Sequence, residues 1–246
     1  EDRGPAQDPQ GSILFGNGDG TFEPEIRFET GMSAPGPLAA ADLDNDGNTD
    51  LVLADVFDAK LGVLMGQGDG SFAARAFTVE YNPQSVMTAD FNNDGLMDMA
   101  TPATGGGGFV YVHLGRGDGT FERSEFYAAG ERPFRVVAAY LNNDDALDIA
   151  AVDRELGNIS VLYGRGDGTF ERAIQYGPAF GESMDILAGD FDNNGFTDLA
   201  TINRAENTVS LFVNQCEECL VDLDGNGQLN VYDFLEFQNL WLRQDP

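Results

Sequence analysis

Residues 42–50 read DLDNDGNTD and residues 66–72 read GQGDGSF, and both stretches return along the chain with little change. The Gly-rich stretch is found at residues 16–22, 66–72, 115–121 and 164–170. The Asp-rich stretch is found at residues 42–50, 90–98, 140–148 and 190–198. The two stretches alternate in a fixed phase, which predicts a repeat protein with a unit of about 49 residues.

Short apolar runs bounded by Gly, Asn and Asp lie between these stretches, as is typical of β-strands. The clearest runs are residues 51–54, 61–65, 109–114, 159–163 and 209–213. Each repeat therefore holds about four strands, which is the size of one propeller blade. We expect an all-β fold, a β-propeller-type array of about four four-stranded antiparallel blades, some of them incomplete or completed by a neighbour.

The Phe that ends each Gly-rich stretch recurs at one position of the repeat. These residues are Phe22, Phe72, Phe121 and Phe170. We interpret them as packing between blades rather than as ligand contacts. Two copies of the stretch also spell Arg-Gly-Asp, but Asn17 and Gln67 fill the Arg position in the other two copies, so the repeat explains the tripeptide better than cell adhesion does.

The chain carries 42 acidic residues against 13 basic ones, a formal net charge of -29. Such a surface repels nucleic acid and anionic membranes over a Debye length of about 8 to 10 Å, so we expect neither as a partner. No apolar run approaches the roughly 20 residues of a membrane span. The chain has one lysine, Lys60, and one histidine, His113, which leaves few groups for acid–base catalysis. We therefore expect no enzymatic activity.

The four Asp-rich stretches hold 13 of the 42 acidic residues at close spacing, where a cation is needed to relieve their repulsion. Calcium takes about six to eight oxygen ligands, and alternate residues of a tightly curled loop can supply them. In the first loop the predicted ligands are the side chains of Asp42, Asp44, Asp46 and Asp50 and the carbonyl of Asn48. Gly47 gives the backbone the freedom to bend sharply between them.

The other three loops offer the same positions to different degrees. The second offers Asp90, Asn92, Asp94 and Asp98 with the carbonyl of Leu96, and the fourth offers Asp190, Asp192, Asn194 and Asp198 with the carbonyl of Phe196. The third keeps Asn142, Asp144 and Asp148. It has Tyr140 at the first ligand position and Asp145 in place of the glycine, so we expect it to be weak or empty. The alternative for all four loops is a network of Asx turns without metal.

The alternating motifs resemble the FG-GAP or VCBS family of calcium-binding propeller repeats, which pairs DxDxDGxxD with a GxGDGTF turn. The resemblance covers roughly residues 12–214. It implies calcium at the loop positions given above, with the ions acting as structural staples rather than as catalysts. We therefore expect Ca²⁺ in the three intact loops and, at most weakly, in the degenerate one.

The pattern changes after residue 213. Residues 222–233 read DLDGNGQLNVYD, which places ligands at the positions of an EF-hand-like calcium loop. The predicted ligands are Asp222, Asp224, Asn226, Gln228, Asn230 and Asp233. Asp at the last position makes the loop similar to a single dockerin repeat, followed by an apolar helical pattern. We expect Cys216 and Cys219 to form a disulfide with each other or between chains.

These patterns predict three regions, namely an N-terminal extension at 1–11, the propeller repeats at 12–214 and the dockerin-like loop and helix at 215–246. We expect a non-enzymatic, secreted protein of the extracellular space or cell surface, which works as a binding or scaffold module for a protein or glycan ligand. One alternative is a self-assembling fibre or surface-layer subunit, a homo-oligomer or filament built by strand exchange between copies. Another is an accessory fragment of a larger secreted carbohydrate-active enzyme.

Overall fold

The computed structural model describes residues 10–79, 82–104, 107–122, 124–142, 144–177 and 182–215, and every regular element in these ranges is a β-strand. The strands are β1 (Gln10–Ile13), β2 (Ile26–Glu29), β3 (Pro35–Ala41), β4 (Asp50–Asp55), β5 (Lys60–Gly66), β6 (Phe72–Thr78), β7 (Met87–Ala89), β8 (Asp98–Ala103), β9 (Phe109–His113), β10 (Glu125–Ala128), β11 (Pro133–Ala139), β12 (Asp148–Asp153), β13 (Ile159–Leu162), β14 (Ile174–Tyr176), β15 (Ser183–Gly189), β16 (Asp198–Asn203) and β17 (Thr208–Phe212).

The strands form five antiparallel sheets in which neighbours in sequence are neighbours in space. Sheet 1 contains β1 and β2, sheet 2 contains β3 to β6, sheet 3 contains β7 to β10, sheet 4 contains β11 to β14, and sheet 5 contains β15 to β17. This confirms the predicted all-β antiparallel array, in which three of the five described sheets have four strands. The first sheet has two strands and the last has three, so the array begins and ends with partial sheets among the described residues.

The inner strands are buried on both faces because a neighbouring sheet covers each side. β8 and β12 are buried along their whole length, which fits the unbroken apolar run at residues 149–152 of β12. Separate apolar clusters fill the spaces between successive sheets. Leu61 and Val63 belong to the cluster between sheets 2 and 3, Val110 to the next, and Ile159 to the one between sheets 4 and 5.

The Phe of the Gly-rich turn follows the predicted packing wherever a preceding sheet lies against it. Phe170 is 4% exposed, and its ring centroid lies 5.5 Å from that of Phe91 in the loop of the preceding sheet. Phe121 packs on the cluster between sheets 2 and 3, and the ring of Phe72 lies 4.6 Å from Phe28 of sheet 1. The prediction is wrong for Phe22, which is 64% exposed because no described sheet precedes sheet 1.

None of the described residues forms a helix with the length and apolar character needed to cross a membrane. Residues 1–9 and 216–246 lie outside the described ranges, and so does the whole predicted EF-hand-like loop with Cys216 and Cys219.

Candidate metal-binding loops

The four Asp-rich stretches form loops at one end of the sheets. Each loop joins the first strand of a sheet to the second, as residues 42–50 join β3 to β4. The Gly-rich turns join the third strand to the fourth in sheets 2 to 4, and β1 to β2 in sheet 1. Connections of these two kinds lie at the same end of an antiparallel sheet, so the two sequence motifs are brought side by side.

Hydrogen bonds from the backbone curl the first loop around its own side chains. The N–H of Gly47 donates to Oδ2 of Asp42 at 2.9 Å, and the N–H of Asp46 donates to Oδ1 of the same carboxylate at 3.2 Å. Asn45 and Gly47 have φ angles of 56° and 87°, in the left-handed region. Gly47 therefore permits the bend that the sequence predicts, because glycine adopts this conformation without steric cost.

The second and fourth loops have the same curl. The N–H of Gly95 donates to Oδ2 of Asp90 at 2.9 Å, and the N–H of Gly195 donates to Oδ2 of Asp190 at 2.9 Å. The first Asp of the loop thus fixes the loop conformation in all three intact copies.

Three carboxylates converge in the first loop and three in the fourth. Oxygen atoms of Asp42, Asp44 and Asp50 all lie within 4.8 Å of one another, and the same holds for Asp190, Asp192 and Asp198. Calcium–oxygen distances are about 2.3 to 2.6 Å, so one ion can touch three oxygens at this separation. The donors are oxygen atoms alone, which suits a hard cation. The two loops therefore fit calcium in both spacing and chemistry.

The fifth residue of each intact loop is turned toward the loop backbone. The carboxylate of Asp46 accepts hydrogen bonds from the N–H and the side-chain amide of Asn48, and these bonds lower the pKa of Asp46. Asn194 accepts from the N–H of Phe196 at 2.7 Å, and Asp94 accepts from the N–H of Leu96 at 2.8 Å. The structure thus does not place Asp46 in the convergent set with Asp42, Asp44 and Asp50.

The second loop has an amide where the first and fourth have a carboxylate. Asn92 donates from Nδ2 to Asp94 at 2.9 Å and accepts the N–H of Asp94 at 3.1 Å. Its remaining acidic residues are Asp90, Asp94 and Asp98, so the loop carries less negative charge than the first.

The third loop lacks the bond that curls the others. Tyr140 occupies the first position and is 52% exposed, so no carboxylate is available there to accept the N–H of the sixth residue. Asn142 and Asp144 still bond to each other, with Nδ2 of Asn142 donating to Oδ2 of Asp144 at 2.8 Å. Asn143 lies outside the described residues.

The last Asp of every loop has a second role that the sequence analysis missed. Asp50, Asp98, Asp148 and Asp198 are all fully buried. In each, Oδ2 accepts the N–H of the second loop residue at 2.8 Å. Oδ1 accepts an N–H at 2.7 to 2.9 Å from the residue that opens the Gly-rich turn, which is Gly66, Gly115, Gly164 or, in sheet 5, Asn214. This Asp therefore clamps the Asp-rich loop to the turn beside it.

Burial raises the pKa of three of these clamping residues. Desolvation raises the pKa of Asp98 to about 6 and that of Asp148 to about 6, even though two backbone N–H groups favour the ionised form. The pKa of Asp50 is raised for the same reason, and the nearby charges of Asp44 and Asp46 add to the effect.

A further hydrogen bond ties each of the first three loops to the following sheet. The N–H of Gly119 donates to the carbonyl of Leu43 at 3.3 Å, and the N–H of Gly168 donates to that of Phe91 at 3.2 Å. In sheet 5 the side-chain amide of Asn214 donates to the carbonyl of Leu141 at 2.8 Å. Each of these three loops is thus held by its own sheet and by the next one, so the order of the loop affects how the two sheets pack.

The Gly-rich turns use their own Asp internally. In all four turns the Asp accepts the backbone N–H of the Thr or Ser two residues later at 2.9 Å. Asp118, within one of the Arg-Gly-Asp tripeptides, also accepts the hydroxyl of Thr120, and these bonds lower the pKa of Asp118. The tripeptide is therefore part of the turn structure.

Buried acids also organise the opposite end of the sheets, which the sequence analysis did not single out. Asp153 accepts the N–H groups of Glu131 and Arg132 with one oxygen and those of Glu155 and Leu156 with the other. Burial would raise the pKa of Asp153, but the four bonds outweigh it and lower the pKa. The sequence does contain a pattern that could have indicated this residue. A second Asp lies five residues after the last Asp of the loop, as in Asp50 with Asp55 and Asp148 with Asp153.

Fold and loops together define an antiparallel repeat protein of the β-propeller type, with acidic loops at one end of each sheet. The sequence profile of the FG-GAP-like repeat matches residues 6–53, 42–101 and 140–201. The chain therefore belongs to the FG-GAP-like repeat family.

Two solved structures match this chain over most of its length. One is a lectin of Agrocybe aegerita, described as specifically recognising non-reducing terminal N-acetylglucosamine. It is 19% identical with a TM-score of 0.55, over 83% of this chain and 60% of the lectin. This chain thus spans less than two thirds of the lectin. The other is the Dos1 propeller, 8% identical with a TM-score of 0.46, over 77% of this chain and 50% of that one. Comparison with curated proteins gives no match.

Proposed function

We propose that this protein is an extracellular, non-enzymatic binding or scaffold module whose loops are stapled by calcium. The observation that carries the proposal is the convergence of three carboxylates within 4.8 Å in the first and fourth loops. Three like charges at this separation repel one another, and a divalent cation removes the repulsion. The carboxylates would be engaged by the ion, which leaves them unavailable for acid–base chemistry.

The loops of this chain would differ in how strongly they bind calcium. Asp42, Asp44 and Asp50 would hold an ion in the first loop, and Asp190, Asp192 and Asp198 would hold one in the fourth. The second loop would bind more weakly because Asn92 replaces a carboxylate, and the third would bind least. The EF-hand-like loop at 222–233 would add a site outside the described residues.

Calorimetric titration of the full, metal-stripped chain with CaCl₂ tests the metal sites. We expect saturable binding, and we expect Asp42→Asn and Asp190→Asn each to remove one site. Asp144→Asn, in the degenerate loop, is the matched control and should leave the number of ions unchanged. Full binding by the double variant Asp42→Asn/Asp190→Asn would overturn the assignment of these loops.

We propose a glycan as the ligand class, because the lectin of similar fold is described as recognising N-acetylglucosamine. A glycan array probed with the protein in calcium and in chelator tests this ligand class. Signal that is lost on chelation supports a calcium-stapled glycan-binding module, whereas a blank array with calcium would direct the search to protein ligands.

A further inference from the structure

The face of sheet 5 that points away from sheet 4 is apolar and exposed. We call it the sheet 5 face, and its side chains are Leu187, Phe191, Ile202, Val209, Leu211 and Val213. Their exposed fractions run from 42% for Val213 to 65% for Val209. An apolar surface of this kind marks an interaction site more often than it marks ordinary surface.

The strand register places four of these residues, Leu187, Ile202, Val209 and Leu211, on one face. Leu187 of β15 pairs with Ala200 of β16, which pairs with Leu211 of β17. Ile202 pairs with Val209 two residues further along, and residues two apart in a strand share a face. The opposite face, with Ile186 and Leu199, packs on sheet 4.

Residues at the same repeat position are buried in the inner sheets. Ile159 of sheet 4 corresponds to Val209 and is 0% exposed, and Val161 corresponds to Leu211 and is 3% exposed. In both cases the following sheet covers the side chain. The sheet 5 face therefore has the chemistry of a surface that receives another sheet of this repeat.

The inner sheets also show which residues make that contact. Leu162 and Phe170 of sheet 4 pack into one cluster with Val110 and Val112 of sheet 3. The residues of sheet 1 at the positions of Leu162 and Phe170 are Leu14 and Phe22. Leu14 is 51% exposed and Phe22 is 64% exposed. We call these two residues the sheet 1 patch.

We propose that the sheet 5 face of one copy binds the sheet 1 patch of a second copy, head to tail. Both surfaces are exposed in the same chain, so neither covers the other. The inner sheets supply the template, in which Phe91 meets Phe170 edge to face at 5.5 Å. Phe191 and Phe22 occupy the corresponding positions and form the equivalent pair across the interface.

Such an interface is heterologous, because two different surfaces meet, and it builds open chains or closed rings of copies. The net charge of -29 opposes the contact at low ionic strength. Assembly is therefore expected in calcium and moderate salt rather than in dilute buffer. This inference goes beyond the proposed function, since it needs only the apolar surfaces and not an occupied loop.

Sedimentation velocity of the full chain over a concentration series tests the interface, with reductant present so that cysteines do not link copies. The wild type should form species larger than the monomer as concentration rises. Val209→Glu and Phe22→Glu should each remain monomeric. Phe57→Glu is the matched control, because Phe57 is 85% exposed in the turn after β4 and lies on neither surface. It should assemble like the wild type.

Mixing the two variants gives the sharper result. Val209→Glu keeps an intact sheet 1 patch and Phe22→Glu keeps an intact sheet 5 face, so an equimolar mixture should form dimers and nothing larger. Assembly that survives Phe22→Glu but not Val209→Glu would overturn the proposal in favour of two sheet 5 faces meeting. A wild type that stays monomeric overturns it too, as expected if residues 216–246 cover the face. Calcium titration of the same samples measures ion binding by the Asp-rich loops independently of self-association, so failure of one proposal can be told from failure of the other.

Discussion

The Asp that ends each Asp-rich loop is held by hydrogen bonds that do not require a metal. Asp148 shows this most clearly, because its loop lacks the first acidic ligand and still keeps the bonds from Leu141 and Gly164. From the sequence these residues were predicted as ligands only. A carboxylate at the end of a DxDxDG pattern fits a metal ligand, whereas a bond to a glycine 16 residues away leaves no local signature. The clamp could be found only once the strands were paired.

Replacing Asp148 with Ala should destabilise the protein by about 2 to 4 kcal/mol with or without calcium, because two buried N–H groups lose their acceptor. Asp144→Ala in the same loop is the control, since Asp144 is exposed, and it should cost well under half as much. Urea unfolding in chelator and in calcium gives the free energies of unfolding. A loss for Asp148→Ala that appears only with calcium would contradict a metal-independent clamp.

The raised pKa of Asp98, about 6, predicts opposite effects of pH on stability and on calcium binding. An Asp in an unfolded chain titrates near 4, so the folded state binds the proton more tightly. This contribution to stability is present below pH 4 or so and is lost as the pH rises through about 6. Calcium must displace the same proton, so its affinity should fall as the pH is lowered through about 6.

Thermal unfolding of metal-stripped protein between pH 4.5 and 7.5 measures the first effect, and calcium titration over the same range measures the second. Asp98→Asn removes the titrating group and should flatten part of the fall in Tm. If Asp98→Asn and the wild type show the same dependence of Tm on pH, the shift at Asp98 does not contribute to stability.

At the scale of the element, sheets 2, 3 and 4 each pack on the preceding sheet through the Phe of the Gly-rich turn. Phe170 lies in a cluster with Phe91 and Tyr127, and its N–H donates to the hydroxyl of Tyr127 at 3.2 Å. Phe22 has the same neighbours in sequence but no preceding sheet among the described residues. Two residues with one motif therefore have different energetic roles.

Phe170→Ala should cost about 3 to 5 kcal/mol, as expected for a large buried aromatic side chain. Phe22→Ala should change the free energy of unfolding by less than about 0.5 kcal/mol, because its ring is already in water. Denaturant unfolding in calcium, at concentrations too low for assembly, compares this matched pair. Equal losses would show that Phe22 is covered in solution by a part of the chain outside the described residues.

At the scale of the whole molecule, the repeat period predicted about four strands per unit, their antiparallel pairing and the presence of incomplete sheets. The positions of the loops also followed from the sequence, because turn residues and apolar runs are local signals. The contacts between sheets did not, since burial depends on which sheet lies next to a residue. Val209 and Ile159 occupy the same position of the repeat, yet Val209 is 65% exposed and Ile159 is buried. The direction of the Asp46 side chain could not be predicted either, because the motif gives only the spacing of the acidic residues and not their hydrogen bonds.

A chain with a net charge of -29 could be stabilised by any cation that screens repulsion, so screening and site binding need separate tests. Site binding adds about 2.7 kcal/mol per loop once calcium exceeds the dissociation constant a hundredfold. Screening depends on ionic strength alone. We therefore expect millimolar CaCl₂ to raise Tm far more than NaCl at equal ionic strength. MgCl₂ should be intermediate, because magnesium demands a tighter octahedral site. Matched rises in Tm for CaCl₂ and NaCl would mean that the acidic loops are relieved by the ion atmosphere, and that the sheets are held by their apolar clusters and buried Asp clamps without calcium staples.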